Sequence, residues 1–194
     1  MQFKRMFTTD AYKGTCGYLR TQKNYEILRT ALYFAISLSL FIAGWVSTGS
    51  RENLLTIVAV LGCLPACKSL VEMFMFLRYK GCDEKDAAQI AAHTIGLIGL
   101  YDMVFTSYEK NYVIHHLTVC GNTVCGYTTD PKFAEQAFYK HIQDILKKDN
   151  YREVSVKIFN DLDKYLKRCE QLKELPAQPE LSAGICQTLK SVSL

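Results

Sequence analysis

The most informative shortage in this 194-residue sequence is local: residues 30–50 contain no charged side chain. A helix rises about 1.5 Å per residue, so a run of this length extends roughly 31 Å, the thickness of a bilayer's hydrocarbon core. A purely soluble protein is not expected. Basic excess is missing further on. Residues 78–174 hold 14 Lys and Arg against 14 Asp and Glu, whereas a domain that grips a nucleic-acid backbone carries a marked positive surplus. Nucleic acid is therefore not an expected partner. The eight cysteines (Cys16, Cys63, Cys67, Cys82, Cys120, Cys125, Cys169, Cys186) lack the density of a secreted disulfide scaffold and read as reduced thiols in a cytosolic setting. The chain also has no phosphate-cradling glycine loop, no G-x-S-x-G, no H-E-x-x-H, no EF-hand loop and no repeat of 20 to 50 residues. No cofactor is implied. With 22% charged and 12% aromatic residues, wholesale disorder is excluded.

The net charge of +4 lies in residues 1–29, where Lys4, Arg5, Lys13, Arg20, Lys23 and Arg29 face only Asp10 and Glu26. A basic segment abutting an apolar run reads as juxtamembrane, facing an anionic cytoplasmic leaflet, so membrane lipid is the first expected partner. Residues 8–29 suggest a broken amphipathic helix leading into the membrane. They are too polar for a signal peptide, and the run that follows is expected to stay as an anchor. A polar turn over residues 47–53 precedes a second apolar run, residues 54–67, which alone is too short to cross. It continues through Lys68 and Glu72, four residues apart and so on one helical face. A helix over residues 53–77 would cross with Lys68 snorkelling to the surface and a bend at Pro65. Trp45 is expected at the far interface, and Gly62 and Ala66 offer a small-residue face for packing the two spans. An even number of spans puts both termini on one side, and Arg51 alone in the loop against six basic residues before the first span makes that side the cytoplasm. The competing reading, a buried hairpin of a soluble bundle, fits poorly with so long an uncharged run.

Beyond residue 81 the pattern becomes α/β. A helix is expected over residues 83–97, strands over 103–107, 112–120 and 123–128, a helix opening at Pro131 with Asp130 as its cap, a strand over 153–159 and a last helix near 162–172. Gly121-Asn122 suits a type II′ hairpin turn. The hairpin should be the central pair of a small sheet, with Val113, Leu117 and Val119 on one face by period-two alternation. Four parts follow: a basic segment (1–29), a two-helix transmembrane hairpin (30–78), a cytoplasmic α/β domain (79–175) and a loosely attached tail (176–194). The fold class is an α+β membrane protein whose small domain runs α-β-β-β-α-β-α.

The hairpin YVIHHLTVCGNTVCGYTTDPK resembles the core of the nuclease-related domain family of the PD-(D/E)XK nuclease-like fold. In that family an Ile-Asp-His-Leu-Val-Val strand, a glycine turn and a strand ending in Glu-x-Lys carry the site. The resemblance puts the family's metal-binding aspartate at His115, its glutamate at Thr128 and its lysine at Asp130, so the chemistry is degenerate. Phosphodiester hydrolysis needs carboxylates around a hard Mg²⁺ ion and a lysine near the developing charge. A working site built on His115, Thr128 and Asp130 would need Asp102, Glu109 or Glu84 to rebuild the acid cluster. The segments MFTTDAYK, LRTALYFAISLSLFIAG and YDMVFTSYEKNYVIHHLTVCGNTVCG are also similar to short two-span bacterial membrane proteins of unestablished role, sometimes labelled O-linked N-acetylglucosamine transferase-like. That resemblance implies the bacterial inner membrane. It does not imply glycosyl transfer, which needs a larger framework than about 95 residues.

His115-His116 with Cys120 and Cys125 raises a metal reading. Neighbouring strand residues point to opposite faces, and His116 with the two thiols lacks a fourth ligand for zinc, so packing is the better account. His93 and His141 read as hydrogen-bonded core histidines. The function expected is a membrane-anchored binding or scaffold module, joined to a protein partner or to copies of itself. The alternative is a membrane-associated metal-dependent nuclease or hydrolase with a rearranged site.

Overall fold

The computed structural model describes residues 11–50, 52–108, 110–176 and 178–194. Within them the chain is mixed α+β and divides into two compact units, residues 19–80 and residues 11–18 with 81–194.

The first unit is a helical hairpin, α1 (Tyr18–Thr48) and α2 (Leu54–Arg78). Both helices are long and apolar enough to cross a membrane. Asn53 caps α2 by accepting the Thr56 amide at 2.9 Å, and α2 runs unbroken through Pro65. The antiparallel helices meet at small residues. Thr30 and Ser69 hydroxyls lie 2.9 Å apart. A Cβ on Gly62 would stand 2.8 Å from Ser37 Oγ, and one on Gly44 2.8 Å from Leu55 Cβ. Each of these meetings is seven residues from the next on both helices, the repeat of a left-handed coiled pair with backbones drawn close by small residues. Over residues 22–48 of α1 and 54–69 of α2 the buried residues are small or polar (Gln22, Glu26, Thr30, Ser37; Ala59, Ala66, Ser69), with Leu19 and Phe76 buried only toward the other end, while Ile36, Leu38, Val46, Val60, Leu64 and Phe74 face outward. That is the reverse of a water-soluble bundle, whose large apolar side chains face the seam.

The broken amphipathic helix expected over residues 8–29 begins only at Tyr18. Before it, residues 11–17 form turns through Gly14 (φ +77°) and Gly17 (φ +71°). This stretch belongs to the α/β unit: Gly14 O accepts the Tyr101 amide at 2.9 Å, and Lys13 Nζ donates to Ser193 O at 2.7 Å. The first ten residues, with Lys4, Arg5 and Asp10, and the loop residue Arg51 lie outside the described residues.

In the second unit the order is α3 (Glu84–His93), β1 (Ile98–Thr106), β2 (Asn111–Cys120), β3 (Thr123–Tyr127), α4 (Glu135–Lys148), β4 (Ser155–Phe159), α5 (Leu162–Lys173) and α6 (Pro179–Val192). The sheet order is β1-β2-β3-β4. The first two pairings are antiparallel and β3–β4 is parallel, with α4 as the crossover that a parallel pair needs. Gly121 takes φ +53° at the hairpin turn, and Cys120 pairs with Thr123 and Leu117 with Gly126, the register expected from a two-residue turn. One sheet face packs Leu100, Met103, Phe105, Ile114, Leu117 and Val124 against Phe138, Ile142 and Leu146 of α4 and Ile185 and Leu189 of α6. The opposite face packs Cys125 and Tyr127 against Ile90 of α3 and Tyr165, Cys169 and Leu172 of α5.

Three expectations are corrected. Residues 176–194 are no loose tail: α6 buries Ile185, Cys186 and Leu189 in the main core, and the Leu194 amide donates to Val104 O at 2.9 Å. The helix expected from Pro131 starts at Glu135 with Ala134 at its cap position; Asp130 instead accepts the Lys132 amide at 2.9 Å in a tight turn. Finally, Val113 does not share a face with Leu117 and Val119. Tyr112 and Ile114 point into the α4/α6 core, as do Leu117 and Val119, so Ile114 and Leu117 are a step of three positions apart, as are Leu100 and Met103 on the partner strand. Strict alternation forbids both spacings. The cause lies between Leu100 and Met103, where Asp102 sits in the left-handed region at φ +54° and rotates the strand by one step.

Phe138 meets Phe105 at 5.5 Å, Tyr112 at 5.2 Å and Phe133 at 5.2 Å between ring centroids and is 1% exposed. Phe138→Ala should cost about 3 to 5 kcal/mol, read as a lowered denaturation midpoint of the detergent-purified chain.

Candidate functional site

The step in the sheet gathers polar groups on the α3/α5 side. Asp102 is 1% exposed and stands between the paired couples Tyr101–His116 and Met103–Ile114, opposite His115. Left-handed backbone in a non-glycine residue costs of order 1 to 3 kcal/mol, less for Asp than for a branched residue. The offset is local: Asp102 Oδ1 accepts the Cys82 amide at 2.7 Å. Gly81 makes room, since a Cβ there would lie 2.9 Å from Asp102 Oδ2.

His115 and His116 occupy the same side, because the break in alternation falls at their position. His115 packs on Tyr127 at 6.1 Å between ring centroids. Its Nε2 is 3.4 Å from Thr129 Oγ1, and its buried Nδ1 has no hydrogen-bond partner among the described residues. Burial lowers its pKa against the opposing pull of Asp102, Asp83 and Asp86, so the ring is neutral near pH 7. Tyr127 donates to Asp86 Oδ2 at 3.1 Å, and burial with that bond pushes the phenol up to about 12. The Cys82 thiol is also pushed up to about 12, by burial and then by Asp102 and Asp86.

His116 belongs to a closed network. Its Nδ1 is hydrogen-bonded to Tyr165 Oη at 2.6 Å, Thr118 Oγ1 lies 2.7 Å from the same phenol, and Tyr101 covers the ring at 4.2 Å. Gly99 is obligatory beside it, since a Cβ would come within 2.6 Å of Nε2. Burial lowers the His116 pKa to about 3 and raises that of Tyr165 well above the usual phenol value.

Among the residues singled out by sequence, the structure brings Asp102 opposite His115 but takes Thr128 and Asp130 elsewhere. Thr128 is fully buried, its hydroxyl donating to Val113 O at 2.8 Å and its amide to Phe159 O at 3.0 Å. Asp130 lies 3.5 Å from Lys110 Nζ. A single face holding His115, Thr128 and Asp130 is not formed. Glu84 sits in the first turn of α3; Glu109 lies outside the described residues.

His116, Cys120 and Cys125 do line one face, but each has its own role. Cys120 Sγ donates to Leu172 O at 3.5 Å, and burial pushes the Cys125 thiol up to about 11 against the pull of Arg168. Among the described residues no group of three or more His, Cys, Asp or Glu side chains is placed to hold a metal ion, and all eight cysteines are free thiols.

In the hairpin unit, Lys68 reaches Glu72 at 3.9 Å with its side chain 80% exposed. Trp45 is 45% exposed near the end of α1. His93 and His141 are only partly buried, and His93 lies 3.6 Å from Glu170 instead of in a core. Sequence reasoning missed Tyr165, Asp86 and Cys82, whose roles depend on α3 and α5 closing over a stepped strand. Compared with known proteins, the chain matches no protein-family model, no curated protein and no solved structure.

The chemistry available is a buried carboxylate beside a neutral imidazole, among thiols and phenols that burial keeps protonated. Activated nucleophiles need the opposite shift. Acid should loosen this unit. His116 titrates at about 3 in the fold and near 6.5 when unfolded, so its contribution is complete above about pH 6.5. It falls by about 1.4 kcal/mol per pH unit as pH drops through the window down to 3, because only the unfolded chain takes up the proton. Denaturant titrations between pH 7 and 4 should show this slope, and His116→Gln should flatten it.

Proposed function

We propose that the protein is a membrane-anchored binding or scaffold module, with the hairpin crossing the bacterial inner membrane twice and a catalytically degenerate nuclease-like domain in the cytoplasm. Its inside-out packing supports the anchor: in hydrocarbon, large apolar side chains lose nothing by facing outward, and small residues let the backbones gain dispersion contacts. Connectivity supports the topology. Residues 11–18 and 81–194 belong to one folded unit, so both ends of the hairpin leave the same body and the number of crossings must be even. The basic segment before α1 favours the cytoplasm for that body.

The observation that carries the non-catalytic reading is the environment of His115. The position where the resemblance puts a metal-binding aspartate holds a buried neutral imidazole, and the two companion positions point away from it. The elements α3 to α5 follow the order α-β-β-β-α-β-α read from the sequence, with α6 added after them. A surface that binds a protein partner, or a second copy of the chain, is then the use left to the domain.

One observation favours the hydrolase alternative: Asp102, strained and buried, lies opposite His115, with Asp83 and Asp86 acting on the same ring. Incubating the detergent-purified chain with DNA and RNA in Mg²⁺ or Mn²⁺ separates the two. No metal-dependent cleavage is expected, and His115→Ala should change nothing. Cleavage abolished by His115→Ala or Asp102→Asn would assign the hydrolase instead.

A further inference from the structure

We propose that the hairpin end where α1 begins and α2 finishes is a binding collar for anionic phospholipid headgroups. This rests on the membrane-spanning reading and adds the ligand class. Within residues 19–80 that end carries Arg20, Lys23, Arg29, Lys68, Arg78 and Lys80 against Glu26 and Glu72.

Both acids are paired, and Glu26 is also turned inward. Glu26 is 2% exposed, accepts from Gln22 Nε2 at 3.0 Å and pairs with Arg29, which also bridges to Glu72. Arg29 Nε donates onward to Ser69 Oγ at 3.2 Å, so the guanidinium is held by both helices. Lys68 balances the remaining negative charge from the surface. With both acids paired, this end carries Arg78 and Lys80 exposed and Lys23 partly exposed. The meeting of Thr30 with Ser69, continued by one seven-residue step, sets Lys23 at the level of Phe76, near Arg78 at the end of α2 and Lys80 just beyond it. The remaining acid of residues 19–80, Glu52, is at the loop end.

The neighbouring surface selects the source of the anion. Directly along the helices from these cations stand exposed apolar side chains, Ile27 (43% exposed), Phe74 (62%) and Leu77 (44%). A free phosphate would leave them uncovered; a phospholipid presents an anionic headgroup joined to acyl chains that cover them. Each basic side chain near an anionic surface contributes a preference on the order of fivefold, screened by salt.

The test uses the full chain in phosphatidylcholine vesicles containing trace spin-labelled phosphatidylglycerol or phosphatidylcholine. Phosphatidylglycerol should associate with the protein roughly fivefold more strongly and lose that advantage at about 1 M salt. The triple substitution Lys23→Gln, Arg78→Gln, Lys80→Gln should abolish the preference, while Glu52→Gln keeps it. Equal association of the two lipids by the wild-type chain overturns the proposal, as does a preference that survives the triple substitution. Loss of the preference to millimolar inorganic phosphate at constant ionic strength assigns the collar to free phosphate and also overturns it. A chain that fails to float with carbonate-washed vesicles removes the membrane reading itself, whereas an incorporated chain without headgroup preference removes this inference alone.

Discussion

The close approach of α1 and α2 at Ser37 and Gly62 is the constraint on which the hairpin depends. A side chain at residue 62 would collide with the Ser37 hydroxyl, so the seam admits only small groups, and the bulky apolar residues that make up most of both helices have nowhere to go but outward. In water such an arrangement exposes Val46, Leu54 and Leu64, each more than two-thirds accessible, at about 25 cal/mol per Å² of apolar surface. In hydrocarbon that penalty vanishes and close packing with a hydrogen bond such as Thr30–Ser69 holds the pair. The solvent is thus written into the seam. Among the described residues, charged groups enter it where Arg29 bridges Glu26 and Glu72.

That unit takes in chain from both before and after the hairpin. Lys13 and Gly14 precede α1, yet they hold Ser193 and Tyr101. The turn at Gly14 covers the outer edge of β1 at Tyr101, and residues 193 and 194 cover it at Phe105 and Val104. An edge strand that would otherwise invite pairing with another chain is protected at both places. Inside the sheet, one left-handed residue has wide effects. Asp102 turns β1 by a step, His115 and His116 come to one face, and polar groups join the apolar core that α3 and α5 cover.

Much of the architecture could be read in the sequence because it rests on periodicity. The uncharged run and the glycine turn at Gly121 are local signals, and each element they imply is present. What could not be read depends on contacts between distant segments. Residues 176–194 look polar and proline-punctuated, but Ile185 and Leu189 find a core only once β1 and β2 are formed. Pro131 signals a helix start, yet the Asp130 side chain closes a turn first and α4 waits for Glu135. The candidate site suffers most, since assigning side chains to faces by alternation fails wherever a single residue leaves the β region, and nothing adjacent to Asp102 announces that it does. Its compensation by Gly81 and Cys82 comes from about 20 residues earlier.

The central claim is that the loop between α1 and α2 lies across a membrane from the folded unit that holds both hairpin ends. Cys16 is exposed in that unit, and Ser50 is exposed in the loop. With Cys67→Ser removing the other exposed thiol, a membrane-impermeant maleimide applied to intact cells should label a Ser50→Cys variant and spare Cys16, which reacts only after permeabilisation. Labelling of Cys16 in intact cells, or protection of Ser50→Cys from the external reagent, would contradict the account.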